Sequence, residues 1–430
     1  MSLNREAATT LIYDQDDRFA LETDTHLRGI RKKYIYGVRR TPRNDTLLIT
    51  HGDPFREDDS QKYPILQVEL RFNNAREKET AFKKLNEALF GRSDGLASRR
   101  PLKVIVNPVS GERRGNEVWA KVAQLLADAQ IQTEVYFTEA AGDAETEAKR
   151  LIGKEEEYSG VMVVGGDGTV YEVLNGLTSR GDMFNDLPVM MIPAGTGNGM
   201  VASLGIRHYN RAALGVIQAI RNERSASLPE WPLLNYTLLQ APNGDEEDEP
   251  KALEHGVSFM GLHTAIATDV DIGSELIRGV PGRETLWAIK ELVRPKHHPV
   301  KFSGKRKGGD DQYFESEGDF TYLMVMNIPW ASADHHIAPD LDPRTEGMHV
   351  IHINRRDAPL RERFHAFTHM SDGSYINRPA VRRNKDVHKI SVTDEAQRVG
   401  QNLFTIDGEL KVGGQIDLEI SRHKLKILYL

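Results

Sequence analysis

Residues 161–169 read VMVVGGDGT: four consecutive apolar residues, Val161 to Val164, run straight into Gly165, Gly166, Asp167, Gly168 and Thr169. An apolar run without polar alternation is a strand buried on both faces, as in a parallel sheet covered by helices. The following TVYEVLNGL places Val170, Val173, Leu174 and Leu177 at helical spacing, so the glycines form a strand-to-helix turn. Such a turn lets backbone amides approach a ligand, and the helix N-terminus behind it favours phosphate oxygens. An aspartate inside an anion cradle repels phosphate unless it has another task, either orienting magnesium or taking a proton from an attacking hydroxyl. Capping the helix is the third reading of Asp167.

Two loops of similar kind flank this turn. Upstream, the strand LKVIVN leads into NPVSGERRG (Asn107–Gly115) and then a helix with Val118, Val122, Leu125 and Leu126 on one side. Downstream, the strand VMMIP leads into PAGTGNG (Pro193–Gly199). TEVYFT, DAETEAKRLI and RAALGVIQAI supply a further strand and two helices. This alternation predicts a three-layer α/β unit with a mostly parallel sheet, whose strand-end loops converge on one crevice. There Asn107 and Ser110 can hydrogen-bond a nucleotide, and Arg113 and Arg114 can neutralise phosphate. No GxxxxGK[ST] loop occurs and no GxGxxG turn follows the first strand, which excludes the P-loop and dinucleotide-fingerprint designs.

The whole chain has 430 residues, 56 Lys+Arg against 63 Asp+Glu, a formal charge of −7 and no cysteine. Its length suits two or three domains at roughly 150 residues each. The acidic balance argues against nucleic acid as a partner. Absence of cysteine excludes disulfide scaffolds, thiolate zinc sites, iron–sulfur clusters and cysteine nucleophiles. No apolar run approaches the ~18 residues of a membrane span, and the N-terminus lacks the pattern of a secretory signal. A cytoplasmic enzyme in peripheral contact with a membrane is the expectation.

Residues 1–98 offer short extended runs at Lys33–Val38, Thr46–Thr50 and Tyr63–Phe72. An amphipathic helix with Ala81, Phe82, Leu85, Ala88 and Leu89 on one face follows, stopped at Gly91. Strands closed by one helix suggest a small β-rich accessory domain that resembles a pleckstrin-homology fold. Residues 99–230 form the α/β unit. Residues 231–430 are mostly strand-like and predict an antiparallel β-sandwich, interrupted chiefly by a helix over Ser274–Val293. The fold class is thus α/β plus all-β.

NPVSG, GGDGT with EVLNGL, and PAGTGNG, in this order, resemble the diacylglycerol kinase catalytic family, which includes sphingosine kinases, ceramide kinase and bacterial lipid kinases. Two later segments extend the likeness: ATDVDIGSELIR (Ala267–Arg278) is similar to the sphingosine kinase segment that meets the lipid head group, and Ile406–Leu410 matches a late aspartate–glycine–glutamate motif. The resemblance implies an ATP- and Mg2+-dependent lipid kinase, with the nucleotide between the α/β unit and a lipid-binding sandwich. Asp167 would activate the lipid hydroxyl. Asn107, Pro108, Val109, Thr138, Gly165, Gly166, Gly168, Glu172, Gly195, Thr196 and Gly197 match nucleotide-side positions. Arg278 and Arg283 match arginines that reach ATP phosphates, Asp271 the aspartate that holds the polar lipid head, and Asp407, Gly408 and Glu409 the motif that folds back towards nucleotide and magnesium. Asp271 can pair with a protonated amine, which sphingoid bases have and diacylglycerol lacks, so a sphingoid long-chain base is the leading acceptor. Diacylglycerol, ceramide and monoacylglycerol are alternatives. The chain departs from sphingosine kinases in reading GGDG rather than SGDG, in SGERRG, and in Gly273.

Readings from other classes stay open. NAD kinases share GGDGT, and a non-catalytic lipid-binding protein would keep the same fold. An Asp-Gly hairpin accounts for Asp407 without any ligand. His297–His298 and His335–His336 read as surface or packing residues, since adjacent histidines rarely face one ion. Arg28, Arg31, Lys32, Lys33, Arg39 and Arg40, with Tyr34 and Tyr36 between them, suit either anionic lipid headgroups or a charged strand edge. The Ser274–Val293 helix, with Leu276, Ile277, Leu286, Trp287, Ile289 and Leu292, suits a lid over the lipid tail or plain core packing.

Overall fold

The structure is a computed structural model. It describes residues 5–13, 18–23, 27–31, 35–42, 46–52, 65–90, 100–178, 187–221, 227–240, 250–277, 280, 282–307, 313–395 and 403–429.

The N-terminal strands β1 (Arg5–Tyr13), β2 (Arg18–Thr23), β3 (Leu27–Arg31), β4 (Ile35–Arg40), β5 (Thr46–Gly52) and β6 (Ile65–Arg71) form one sheet in the order β3-β2-β1-β6-β5-β4. Only the β1–β6 pair is parallel. Helix α1 (Ala75–Phe90) lays Phe82 and Leu85 onto Ile35, Val38, Leu47, Ile49, Val68 and Leu70. β5 is buried along its whole length because the next unit packs on the sheet too. Tyr36 donates to the Asn210 carbonyl at 2.9 Å, and Thr50 to the fully buried Asp128 at 2.5 Å. Of the basic stretch, Arg39 pairs with Asp128 and Arg40 with Glu79, while Tyr36 is fully buried. Tyr36 thus belongs to the core, Arg39 and Arg40 are half-exposed on the edge strand β4, and residues 32–34 lie outside the described set.

The α/β unit runs β7 (Leu102–Val106), α2 (Ser110–Arg113), α3 (Gly115–Asp128), β8 (Thr133–Phe137), α4 (Asp143–Lys149), β9 (Val161–Gly165), α5 (Asp167–Leu177), β10 (Val189–Pro193), α6 (Gly199–Ser203) and α7 (Tyr209–Arg221). Its four strands are all parallel, in the order β10-β9-β7-β8. β7 and β9 are buried throughout, as their continuous apolar runs require. The chain order reverses between β7 and β9, so a crevice opens at their carboxyl ends, where ligands bind in open α/β sheets.

The remaining elements are β11 (Glu230–Leu239), β12 (Ala252–Ser258), β13 (Gly261–Ala265), α8 (Ile266–Glu275), α9 (Arg283–Val293), β14 (Pro299–Arg306), β15 (Tyr313–Met326), β16 (Trp330–Ser332), β17 (His335–His336), β18 (Met348–Asn354), α10 (Leu360–Thr368), β19 (Arg382–Asp394), β20 (Leu403–Ile406), β21 (Glu409–Val412) and β22 (Gln415–Lys426). They form a large antiparallel β region in which β14 and β18 each pair with both β15 and β19, closing a ring. The run YLMVM in β15 is apolar without alternation because both faces are buried. Leu323 and Val325 enter the core between the sheet layers, whereas Tyr322, Met324 and Met326 face the other way, into the core that holds the helices. After β22 the chain returns to the parallel sheet, where Leu428 donates to the Val189 carbonyl at 3.0 Å.

One expectation needs correction. The helix expected over Ser274–Val293 is two helices, α8 and α9, and α8 begins eight residues earlier at Ile266. α8 ends at Glu275 with Leu276 as its C-cap, and Gly282, at φ +69°, precedes the first turn of α9. DVDIG therefore lies within α8. Gly273 has a local cause: a Cβ there would lie 1.9 Å from the Trp287 indole, so its absence lets α9 pack on α8. Helix α10 was not foreseen.

Candidate active site

The three expected loops meet at the carboxyl ends of β7, β9 and β10. Asn107 donates to Thr169 Oγ1 at 3.1 Å and accepts from the Val109 amide at 3.1 Å, tying the first loop to the second. The Gly165 carbonyl accepts from the amides of Ala194 and Gly195, tying the second loop to the third. Gly195 and Gly166 touch through their backbones, so a Cβ on Gly195 would lie 2.6 Å from the Gly166 Cα. Only glycine permits that approach.

Asp167 opens α5 without capping it. Its carboxylate reaches across to the third loop and accepts from the amides of Gly199 at 2.9 Å and Met200 at 3.1 Å. Asn198, at φ +59°, turns the chain there and donates to the Gly195 carbonyl at 2.7 Å. Burial pushes the Asp167 carboxyl up to about 6, and the backbone hydrogen bonds partly oppose it. A carboxyl in that range is ionised at neutral pH yet basic enough to take a proton.

The late Asp-Gly-Glu motif is a two-residue hairpin between β20 and β21, with Asp407 at φ +50° and Gly408 at +88°. That is the backbone a type I′ turn demands. The Asp407 carboxylate is held by the turn before β13. It accepts from Ser258 Oγ at 2.6 Å and from the amides of Phe259, Met260 and Gly261 at 2.9–3.0 Å. Burial still raises it to about 6. Glu409 is the acidic group that faces the loops: a Cβ on Gly168 would lie 2.2 Å from its Oε1. Burial and the nearby Glu172 charge hold the Glu409 carboxyl above its ordinary value. Glu172 accepts from the Ala144 amide at 3.2 Å.

These groups line one cavity of about 1270 Å³. Of the positions singled out from sequence, Asn107, Val109, Thr138, Gly166, Asp167, Gly168, Glu172, Gly195, Thr196, Gly197, Asp271, Arg283, Asp407, Gly408 and Glu409 contribute to its wall. Pro108 and Gly165 stand behind it, Arg113 and Arg114 are exposed outside it, and Arg278 lies outside the described residues. Asp271 is exposed on α8, while its neighbour Asp269 is held by Lys296 at 2.7 Å and His298 at 2.9 Å. Away from the glycine loops the wall becomes apolar, with Ile266, Val270, Ala288, Met324, Phe367 and Met370. This tunnel lies between the sheet and helices α8–α10, not inside the sandwich, whose interior Leu323, Val325, Phe404 and Ile416 fill.

Sequence reasoning missed the Gly199 and Met200 amides, the Ser258–Gly261 turn and the residues of β16–β17 in the wall. Contacts between positions so far apart in the chain leave no local signal. The Phe364–Phe367 spacing of α10, continued by Met370 just beyond its end, was legible as a helical face.

The diacylglycerol kinase catalytic domain model matches residues 101–228. Sphingosine kinase 2 of Arabidopsis thaliana is 31% identical over 57% of this chain and 55% of its own length, so this chain spans about half of that relative. The putative lipid kinase YtlR of Bacillus subtilis is 32% identical over 64% of this chain and 84% of its own. A diacylglycerol kinase of Staphylococcus haemolyticus is 30% identical over 76% and 87%. Among solved structures, a putative diacylglycerol kinase from Bacillus anthracis aligns with a TM-score of 0.53 at 18% identity, over 77% of this chain and 97% of that one.

Proposed function

This chain belongs to the diacylglycerol kinase catalytic-domain family, and we propose that it transfers the γ-phosphoryl group of ATP to the primary hydroxyl of a sphingoid long-chain base. The observation that carries this reading is the position of Asp167, at the junction between the glycine loops and an apolar tunnel. The hydroxyl oxygen attacks the γ-phosphorus, the bond to the bridging oxygen breaks, ADP leaves, and the hydroxyl proton passes to Asp167. Base assistance of this kind contributes ~10²–10⁴-fold. Asn107, Pro108, Val109, Thr138, Gly165, Gly166, Gly168, Gly195, Thr196 and Gly197 hold the nucleotide. Arg278 and Arg283 neutralise phosphate, and Asp271 pairs with the amine of the lipid head.

The wall beside the glycine loops carries Asp167, Glu172 and Glu409, and among the described residues Arg283 is the arginine in the cavity wall as a whole. Glu172 and Glu409 offer carboxylate oxygens beside the phosphate cradle. One or two carboxylates plus substrate phosphates is how Mg2+ is usually bound, so this pair fits the ion, which would shield the triphosphate charge. No step is assigned to Asp407, whose carboxylate is taken up by the turn before β13.

We place three units at residues 1–98, 99–230 and 231–430, the first resembling a pleckstrin-homology fold. No helix among the described residues is long and apolar enough to cross a membrane. Leu276, Val280, Leu286, Ile289 and Val293 are 40–76% exposed on and between α8 and α9, beside the tunnel. That face suits peripheral attachment from the cytoplasm and entry of the lipid from a bilayer.

The test is γ-labelled ATP with a lipid panel. Labelled product from sphinganine supports the reading; product from diacylglycerol and none from sphinganine replaces it with the second reading, a diacylglycerol kinase, which the Staphylococcus haemolyticus relative favours. No product from any lipid alcohol rejects both.

A further inference from the structure

Among the polar side chains of the cavity wall that the phosphoryl transfer does not use are Ser332, His335 and His263. Ser332 and His335 belong to the short β16–β17 hairpin and join each other, Ser332 Oγ to His335 Nδ1, at 2.8 Å. The hairpin lies against the third glycine loop, where Ser332 bridges to Asn198 and the Ala333 amide donates to the Gly197 carbonyl at 2.6 Å. A side chain on Gly197 would start 3.1 Å from Asp167 Oδ2 and 3.9 Å from Ser332 Cβ. Ser332 is thus a neighbour of the carboxylate that receives the proton. His263 comes from β13, where it sits opposite Met324 in the ladder, and its Nε2 lies 3.4 Å from Met326 Sδ.

We infer that Ser332, His335 and His263 form a second polar subsite, which takes a neutral hydroxyl carried by the lipid alcohol close to its reacting hydroxyl. The inference rests on the lipid-kinase reading and adds to it which part of the lipid head this wall recognises. Charge decides the kind of group. Burial and the His335 charge push the His263 imidazole down to about 4, so it is neutral at physiological pH and can donate or accept one hydrogen bond. None of the three side chains is itself a carboxylate, and the anionic partner for an amine is Asp271. A hydroxyl, both donor and acceptor, matches a serine hydroxyl and a neutral imidazole. A wall built for hydrogen bonding discriminates against a ligand that leaves its buried polar groups unpaired.

The test compares matched substrates by kcat/KM. One pair is sphinganine and 3-deoxysphinganine, which keeps the reacting hydroxyl and the amine and lacks only the neighbouring hydroxyl. The other is a monoacylglycerol and the same acyl ester of propanediol. In at least one pair the chain should prefer the hydroxylated lipid by about tenfold. His335→Asn keeps an amide where Nδ1 bonds Ser332 and removes the far ring nitrogen. His335→Asn and His263→Leu should each cut that preference to about twofold or less, with thermal denaturation as the check that the fold survives. A bond that merely locked the hairpin would leave the preference unchanged in His335→Asn. Equal rates within both pairs, or a preference that survives both substitutions, overturns the inference while leaving the kinase reading intact. Failure to phosphorylate any lipid alcohol overturns both.

Discussion

Replacing Asp167 by asparagine separates what its carboxylate does for the reaction from what it costs the fold. The carboxyl is raised from 3.8 to about 6 by burial, a shift worth about 3 kcal/mol. Because the folded-state value lies above the unfolded one, the native state binds the proton more tightly. Stability from this group is complete below about pH 4 and is lost as the pH rises to about 6, so at neutral pH the ionised carboxylate is a net burden. Asparagine removes the charge, but it presents an NH2 to one of the two amides, Gly199 or Met200, that the carboxylate accepts from. That mismatch costs about 1–3 kcal/mol. The two effects nearly cancel at pH 7.5, and at pH 5, where about half of the burden is lifted, the natural protein should have gained about 1–1.5 kcal/mol on Asp167→Asn in urea denaturation. Turnover should fall ~10²–10⁴-fold at and above about pH 7, where the natural base is ionised. The natural enzyme should lose activity about tenfold per pH unit below about 6, as the base is protonated. An Asp167→Asn protein that keeps a tenth of the activity, or a natural enzyme with no acid limb near pH 6, would refute the role of base.

Other perturbations follow from the same geometry. Gly195→Ala puts a methyl 2.6 Å from the Gly166 backbone; the loops must part, and the KM for ATP should rise with a stability loss of about 1–3 kcal/mol, measured by initial rates and denaturation. Lys103, 3% exposed, holds Glu147 at 2.5 Å and Glu134 at 2.7 Å. Lys103→Met should cost about 3–5 kcal/mol, seen as a lower urea midpoint, with little effect on KM. Leu276→Ser with Ile289→Ser should reduce sedimentation with phospholipid vesicles severalfold without lowering Tm, since both side chains are exposed.

Much of the fold was legible because its signals are local. Unbroken apolar runs such as VMVV and VMMIP report burial on both faces, helical spacing reports one buried face, and the glycines between them mark where backbones approach. Asp407-Gly408 announced its hairpin for the same reason: the turn needs positive φ at both positions, and that residue pair tolerates it. The α8–α9 break was hidden by the apolar periodicity on both sides of it.

What sequence by itself determined is the list of loops at the sheet ends and the acidic residues inside them, since strand, turn and helix follow from neighbours in the chain. Tertiary structure alone decided which carboxylate does what. Asp407 is held by four donors 146–149 residues away, Glu409 faces Gly168, and Asp167 reaches the amides of another loop. Hydrogen-bond direction and desolvation depend on who stands opposite, and that is a property of packing which no run of adjacent residues encodes.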